Sequence, residues 1–470
     1  MTGIRAREPD SARPVGPRTG SDASAASGTA RCHGFIGRDG PAGDIAAVAA
    51  GVVLVVAAAV VGRMLLAEGV NLLLPFPPLL AQWLPHVGPG TPVAAVTAVA
   101  VVGWGPSLAA TLPWRRLLLT AWVAALVWTL ALALVDGWQR GVVERLSSGE
   151  EYLHDVRRVA GVREMLATFA DHILTDQAVH WTTHVGAHPP GVFLVYVVLD
   201  RIGLGGGGAA GVVTVLVGAS ACAAVAVTLR ALGAEDVARA ALPFGVLLPG
   251  AVWVGVSADG MFAAVLSWGV AVLAIGTAGR GMRADAAALA GGVLLGSTLY
   301  LSYGLALGLF LPAAVLAVTR RWRAAVLAGA GAAAVVVAFT TSGFWWFTGF
   351  GRVQVIYAAS IAANRPYSYF VWANLAAFSF AVGPAVWAGM RRAAAARTLP
   401  GPAALLVLAA LAAVVVADLT GLSKAEVERI WLPFAVWLVV PCALLPRAGK
   451  WLAAQAVLAL AVNHLLLTVW

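Results

Sequence analysis

The sequence predicts an all-α, polytopic helical membrane protein with roughly twelve to fourteen transmembrane helices by span length. Amphipathic juxtamembrane helices are expected in one long outer loop. Three observations predict this class. Of 470 residues, 60% are hydrophobic and only 11% are charged, whereas a soluble domain carries about 25% charged residues. Mean hydropathy is +0.86. Apolar runs recur along the chain without strand-like alternation, which argues for helices and against an outer-membrane barrel. So little charge cannot cover a water-facing surface of this size. A soluble multidomain enzyme, a disordered chain, a collagen and a disulfide scaffold are excluded.

The charge balance does not point to nucleic acid. Net charge is +9 and pI is about 10.1. The cations are almost all arginine, however, set in short pairs between apolar runs. That fits orientation by the positive-inside rule, not a nucleic-acid face. Lys424 and Lys450 are the only lysines, and the Ala/Gly/Val/Arg-rich usage reads as a GC-rich genome. The three cysteines, Cys32, Cys222 and Cys442, lie far apart and suggest neither a disulfide framework nor a metal site.

Residues 1–43 are rich in Gly, Ser, Ala, Pro and Arg and read as a disordered cytoplasmic tail. Residues 44–470 read as a single integral membrane domain. Its first apolar run has no cleavage-site pattern, so it is a retained anchor. Spans are expected at about 45–66, 91–111 and 117–135. Arg115 and Arg116 place the second turn inside, so residue 136 emerges outside. Further runs lie near 209–230, 240–257, 260–278, 286–302 and 304–319. Arg320–Arg323, Arg391, Arg392, Arg447 and Lys450 mark the inner side. The stretch 191–199 is too short to cross, so 189–204 reads as re-entrant or juxtamembrane, with a crossing as the alternative. The layout puts Asp259 and the loops 343–369 and 420–429 outside.

Polar chemistry concentrates in 136–188. This segment holds five of the eight histidines (His154, His172, His180, His184, His188) and eight of the 22 acidic residues. Ser148 and Glu151 form a capping-box pattern. After them Tyr152, Val156, Val159, Val162, Met165 or Leu166, Phe169 and Ile173 recur at helical spacing. An amphipathic helix resting on the membrane surface is expected there. Asp136 ends the run LVWTLALALVDGW at the lipid–water boundary. A partly desolvated carboxylate there suits a general base, or simply marks the helix end. His184 and His188 lie in THVGAHPPG. On a continuous helix they could share a metal, but Gly186, Pro189 and Pro190 disfavour that helix. They read instead as hydrogen-bonding residues that order the loop or touch a substrate hydroxyl. Three more outer clusters follow. SADG carries Asp259. NRPYSYF carries Asn364, Arg365, Tyr367 and Tyr369. GLSKAEVERIWLPF carries Lys424, Glu426, Glu428 and Arg429. Lys424 and Arg429 could bind phosphate, or pair with the neighbouring glutamates in a charged loop.

This arrangement resembles the multi-span C-type glycosyltransferases. These include protein O-mannosyltransferases, aminoarabinose lipid A transferases and actinobacterial mannosyl- and arabinosyltransferases. Asp136 looks like that family's acidic residue after an early membrane helix. Residues 144–173 look like its juxtamembrane helices, and His188-Pro189-Pro190-Gly191 like the segment that opens the next helix. SADG and LAGGVLLGSTLYLSYG look like its middle helices. The resemblance covers about 115–320. It departs where Gly137 follows Asp136, because many members place a second acid there. Glu150, Glu151 or Asp155 would have to supply it. The sequence does not require a divalent cation.

The resemblance implies a transferase on the outer face of the cytoplasmic membrane, with the N-terminus inside. The donor would be a polyprenyl-phosphate sugar from the lipid bilayer, and the acceptor an envelope glycan, lipid or protein. Asp136 would act on the acceptor hydroxyl. Arg365, Lys424 or Arg429 would stabilise the departing phosphate. Glu150, Glu151, Asp155, His184, His188, Asp259, Tyr367 and Glu428 would line the substrate site. Two rivals remain: a transporter or lipid-linked sugar flippase, with ionisable groups near mid-membrane, and a non-catalytic membrane scaffold.

Overall fold

A computed structural model of the chain describes residues 40–396 and 399–469. Most of the expected tail therefore lies outside the described residues. Helix α1 (Pro41–Ala67) begins within its last residues, with proline at the first turn, where the missing N–H costs nothing. An extended stretch follows. Its short strand β1 (Ala81–Trp83) pairs antiparallel with β2 (Leu466–Thr468), Gln82 opposite Leu467. The sequence reading gave no hint of this ribbon. Next come α2 (Thr91–Thr111) and α3 (Trp114–Ala133), and a 3-10 turn carries α3 on to Asp136.

The segment 136–188 is helical but broken. It contains single turns at 139–146, then α4 (Tyr152–Val156), α5 (Val162–Thr168), a 3-10 turn at 169–172 and α6 (Thr183–Ala187). The expected continuous amphipathic helix is interrupted because Gly161 is extended. The capping box does not form: Glu151 precedes α4 without a side-chain cap. The apolar periodicity is real, since Tyr152, Val156, Met165, Leu166, Phe169 and Ile173 are all buried. They pack into the protein core and not onto lipid.

Helix α7 (Pro190–Arg201) has 12 residues, about 18 Å of rise, too short for a hydrocarbon core of about 30 Å. Gly191 lets it touch the next layer: a Cβ there would sit 2.5 Å from the Tyr300 carbonyl oxygen. Then follow α8 (Gly207–Gly218), α9 (Ala221–Ala231), α10 (Glu235–Val246), α11 (Ala251–Val254), α12 (Ala258–Ala278) and α13 (Met282–Leu301). Next are α14 (Phe310–Thr319), α15 (Trp322–Thr341), α16 (Trp346–Ala359), α17 (Tyr367–Val382) and α18 (Pro384–Ala396). The last are α19 (Gly401–Leu419), α20 (Val427–Ile430), α21 (Leu432–Leu438) and α22 (Ala448–Leu465). Small residues let the helices approach closely: a Cβ on Gly292 of α13 would lie 2.0 Å from the Ala328 oxygen of α15.

Eight helices among the described residues are long and apolar enough to cross a membrane. The pair α17–α18, bent by 105°, makes a ninth if counted as one span. This is a multi-pass helical membrane architecture. Four shorter segments, α10–α11, 303–319, 432–444 and α22, would bring the crossings to thirteen. Non-helical residues 247–250, Pro249 and Gly250 among them, divide the apolar run 240–257, so it forms no single long helix.

With crossings alternating in direction, the ion pairs sort into two ends. One end holds Asp44 with Arg391 and Arg392, Glu235 with Arg230 and Arg239, and Asp285 with Arg323. The other holds the pairs of Asp136, Asp155, Asp171, Asp259 and Glu426, together with the Glu151–His184 contact. No described pair joins opposite ends. In each of the eight long spans, every Asp, Glu, Lys or Arg lies within five residues of an end.

Candidate functional site

The second end contains a buried charged cluster. Ser257 is extended, and α12 starts at the next residue. Asp259 therefore falls in the first helical turn, where the helix dipole favours a carboxylate. Its Oδ2 accepts a hydrogen bond from Arg429 Nη1 at 2.7 Å. Arg429 comes from α20, which follows two left-handed residues, Ala425 (φ 73°) and Glu426 (φ 60°). This turn folds Glu426 back, and its Oε2 accepts from Arg429 Nη2 at 3.1 Å.

The turn is held from several sides. Asn374 on α17 donates to Asp418 Oδ1 and the Ser423 carbonyl, and its Oδ1 accepts the Ala425 N–H. Arg365 donates to the Leu72 and Lys424 carbonyls. Lys424 Nζ donates to the Ala363 carbonyl, and Tyr367 OH to the Leu419 carbonyl. Arg365 and Tyr367, expected as substrate contacts, thus act here as backbone staples. Arg365 is buried, and that burial lowers its pKa despite Glu426. Lys424 is half-buried and makes one bond, so its ammonium keeps donor capacity for an anion.

The histidine loop supplies the other wall. His184 Nδ1 lies 3.1 Å from Glu151 Oε1. His188 Nδ1 lies 2.8 Å from the His184 carbonyl oxygen and 3.2 Å from Tyr152 OH. A carbonyl accepts only, so His188 Nδ1 carries the proton and Nε2 is the ring's acceptor. Burial, then the nearby Arg429 cation, holds the His184 pKa well below the ordinary imidazole value. Burial lowers His188 as well. Glu150 accepts from Thr183 Oγ1, and its carbonyl accepts the His184 N–H. Asp155 is fully buried between Arg158 and the Thr182 N–H. It ties 155 to 182.

The cluster has more carboxylates than cations. Burial pushes Glu151 up to about 7; Arg429 opposes that push and Asp259 adds to it. Burial pushes Glu428 up to about 8, and its Oε2 is buried with no hydrogen-bond partner. Burial works against the Arg429 cation, but Asp259, Glu426 and Glu151 more than reverse it. Near neutral pH the site therefore holds at least one protonated carboxyl beside an ionised one, an acid–base arrangement.

Asp136 belongs to a different constellation. Its Oδ1 lies 2.8 Å from His86 Nε2, and its Oδ2 accepts from Arg145 Nη2 at 2.6 Å. Arg145 also donates to the Thr468 carbonyl. Both carboxylate oxygens of the residue expected as a general base are therefore engaged by side chains of the protein. Asp136 clamps the C-terminal ribbon to the end of α3.

Two cavities flank the charged cluster. A groove runs between Trp181, Thr182 and Thr183 on one side and Val353, Ile356 and Tyr357 on the other. A smaller cavity is lined by Asp259, Phe262, Ser302, Ser423 and Trp431. Among the described residues, no group of three or more His, Cys, Asp or Glu is placed to hold a metal ion.

His86, Arg145, Tyr152 and Asn374 escaped the sequence reading as site-building groups. His86 and Arg145 carry no local signal. Asn374 does, because a lone amide inside an apolar run needs a partner. The sequence matches no family model and no curated protein.

Proposed function

We propose that the chain is an integral membrane glycosyltransferase. It moves a sugar from a polyprenyl-phosphate donor to a glycan, lipid or protein acceptor on the outer face of the cytoplasmic membrane. The supporting observation is the convergence of Glu151, His184, His188, Asp259, Glu428 and Arg429, from three distant segments, at one end of the spans. Such a transfer needs a group to take the acceptor proton and cations to receive the leaving phosphate. The acceptor oxygen bonds to the anomeric carbon, the carbon–phosphate-oxygen bond breaks, and the acceptor proton passes to the base. Glu151, paired with His184, fits the base role better than Asp136, whose oxygens are both occupied. Lys424 is the cation with donors to spare, and the groove beside Thr183 suits the prenyl chain. A transporter reading is weaker, since no long span carries a charge near its middle.

The test is sugar transfer by purified protein from polyprenyl-phosphate sugars, with wild type, Glu151→Gln and Asp136→Asn compared. Glu151→Gln is expected to lose about 10²–10⁴-fold in rate, the usual worth of a general base. Asp136→Asn should keep transfer in its folded fraction. The base assignment moves to Asp136 if the two results are reversed. The transferase reading fails if the wild type consumes no lipid-linked sugar.

A further inference from the structure

At the opposite, arginine-bearing end, α2, α3 and α10 leave an apolar groove. Trp104 and Leu108 of α2 form one wall, Ala121 and Ala124 of α3 the floor, and Pro243 and Val246 of α10 the other wall. Trp104 is 63% exposed and Leu108 39%, so the groove opens on the outside of the bundle, where lipid chains lie. Its α3 residues run from Leu117 to Ala124, about 10 Å along the helix, within one leaflet of a core of about 30 Å.

Charge gathers at its mouth. Arg116 lies four residues before Thr120, which lines the groove, so the two share a face of α3. A helical side chain leans toward the N-terminus, which carries the Arg116 guanidinium out of the hydrocarbon. Arg115 and Arg116 are exposed, and neither is in a salt bridge among the described residues. Arg230 and Arg239 pack over the Trp114 ring next to them and share Glu235. Among the described residues Asp236 is the other acid there, so arginines exceed acids by two.

We propose that this groove binds one acyl chain of an anionic glycerophospholipid whose phosphate is taken by Arg115 and Arg116. The apolar lining selects a chain, and the surplus guanidinium charge selects an anionic head, which arginine can grip in a bidentate fork. The donor's site is elsewhere, because α3 carries Asp136 at its far end and Arg116 at this one.

The test is lipid retention by the purified full chain, read by native mass spectrometry with phosphatidylglycerol or phosphatidylcholine added. Wild type is expected to retain one phosphatidylglycerol in preference to phosphatidylcholine. The double change Arg115→Gln/Arg116→Gln should weaken that binding about 30-fold, from roughly one basic-residue increment each. Ala124→Phe fills the floor and should abolish retention while both arginines stay. Thr120→Trp, at the exposed edge, serves the same end if Ala124→Phe does not fold. The proposal is overturned if the two lipids bind alike, if glycerol phosphate without chains displaces the lipid, or if folded groove-filling variants retain phosphatidylglycerol unchanged.

Discussion

Glu151 and Glu428 place two proton-holding carboxyls around one arginine, and this dictates how stability responds to pH. Their pKa values in the folded chain stand at about 7 and about 8, against about 4.3 for an exposed glutamate. Between those limits the folded state holds more protons than the unfolded one. Stability is therefore fully present below about pH 4.3 and is lost as pH rises through about 7 and 8. The expected slope is about 1.4 kcal/mol per pH unit for each linked carboxyl. Thermal unfolding in detergent from pH 5 to 9 should show that decline up to about pH 8 and a plateau above it, and Glu428→Gln should roughly halve the slope between pH 5 and 7. A stability that rises over this range would contradict the protonated pair. Arg429 is the counterpart. Replacing it by Met leaves Asp259, Glu426 and Glu151 without their shared cation, and breaking such a buried pair costs about 3–5 kcal/mol. Combining Arg429→Met with Asp259→Asn should cost less than the two single changes added, a coupling that unfolding midpoints can read.

The Asp136 clamp joins elements that are far apart in the chain: the end of α3, the stretch holding His86 and the C-terminal ribbon. Asp136→Asn removes one charged partner of Arg145 and should cost about 1–3 kcal/mol. Hydrogen exchange should rise at 81–86 and 464–468 first, while the α12–α13 pair stays protected. Uniform exchange across the chain would refute a local clamp. What the sequence made legible follows from contrast. Asp259 and Arg429 interrupt or border apolar runs, so their isolation marks them. The buried positions from Tyr152 to Ile173 were legible from their spacing. The breaks between α4 and α5 were not, because Gly161 is only one weak signal inside a convincing helical period. Asp136 was legible as an anomaly, but its contacts were not. Its partners sit 50 residues before it and nine after it, and Arg145 lies among other loop charges that look the same in sequence. Arg365 and Tyr367 bond backbone carbonyls, which their sequence did not foretell because a polar side chain reads alike whether it meets a ligand or a neighbouring carbonyl.

The two-ended sorting of charge constrains the orientation of the whole bundle. Short connections and the first helical turns after them at one end carry Arg280, Arg283, Arg320, Arg321, Arg447 and Lys450. Those at the other carry Arg352, Arg365, Lys424 and Arg429, with Arg365 and Arg429 committed to internal bonds. Orientation follows basic residues in short loops and not net charge, and long loops such as 137–206 count little. The arginine-bearing end is therefore expected in the cytoplasm, and the Glu151–Arg429 cluster on the outer face. Labelling with a membrane-impermeant thiol reagent on intact cells tests this. Cys222 and Cys442 are buried, so a background with Cys32 replaced should be silent. Gln177→Cys and Leu422→Cys sit at exposed positions of the cluster's end, and Arg280→Cys and Arg321→Cys at exposed positions of the other. The first pair should label from outside, and the second only after permeabilisation. The reverse pattern would turn the bundle over and put the cluster where a lipid-linked donor presented on the outer face cannot reach it. A split within either pair would break the alternation of thirteen crossings, most directly at 235–257, where Pro243 and the short α11 make the crossing least regular.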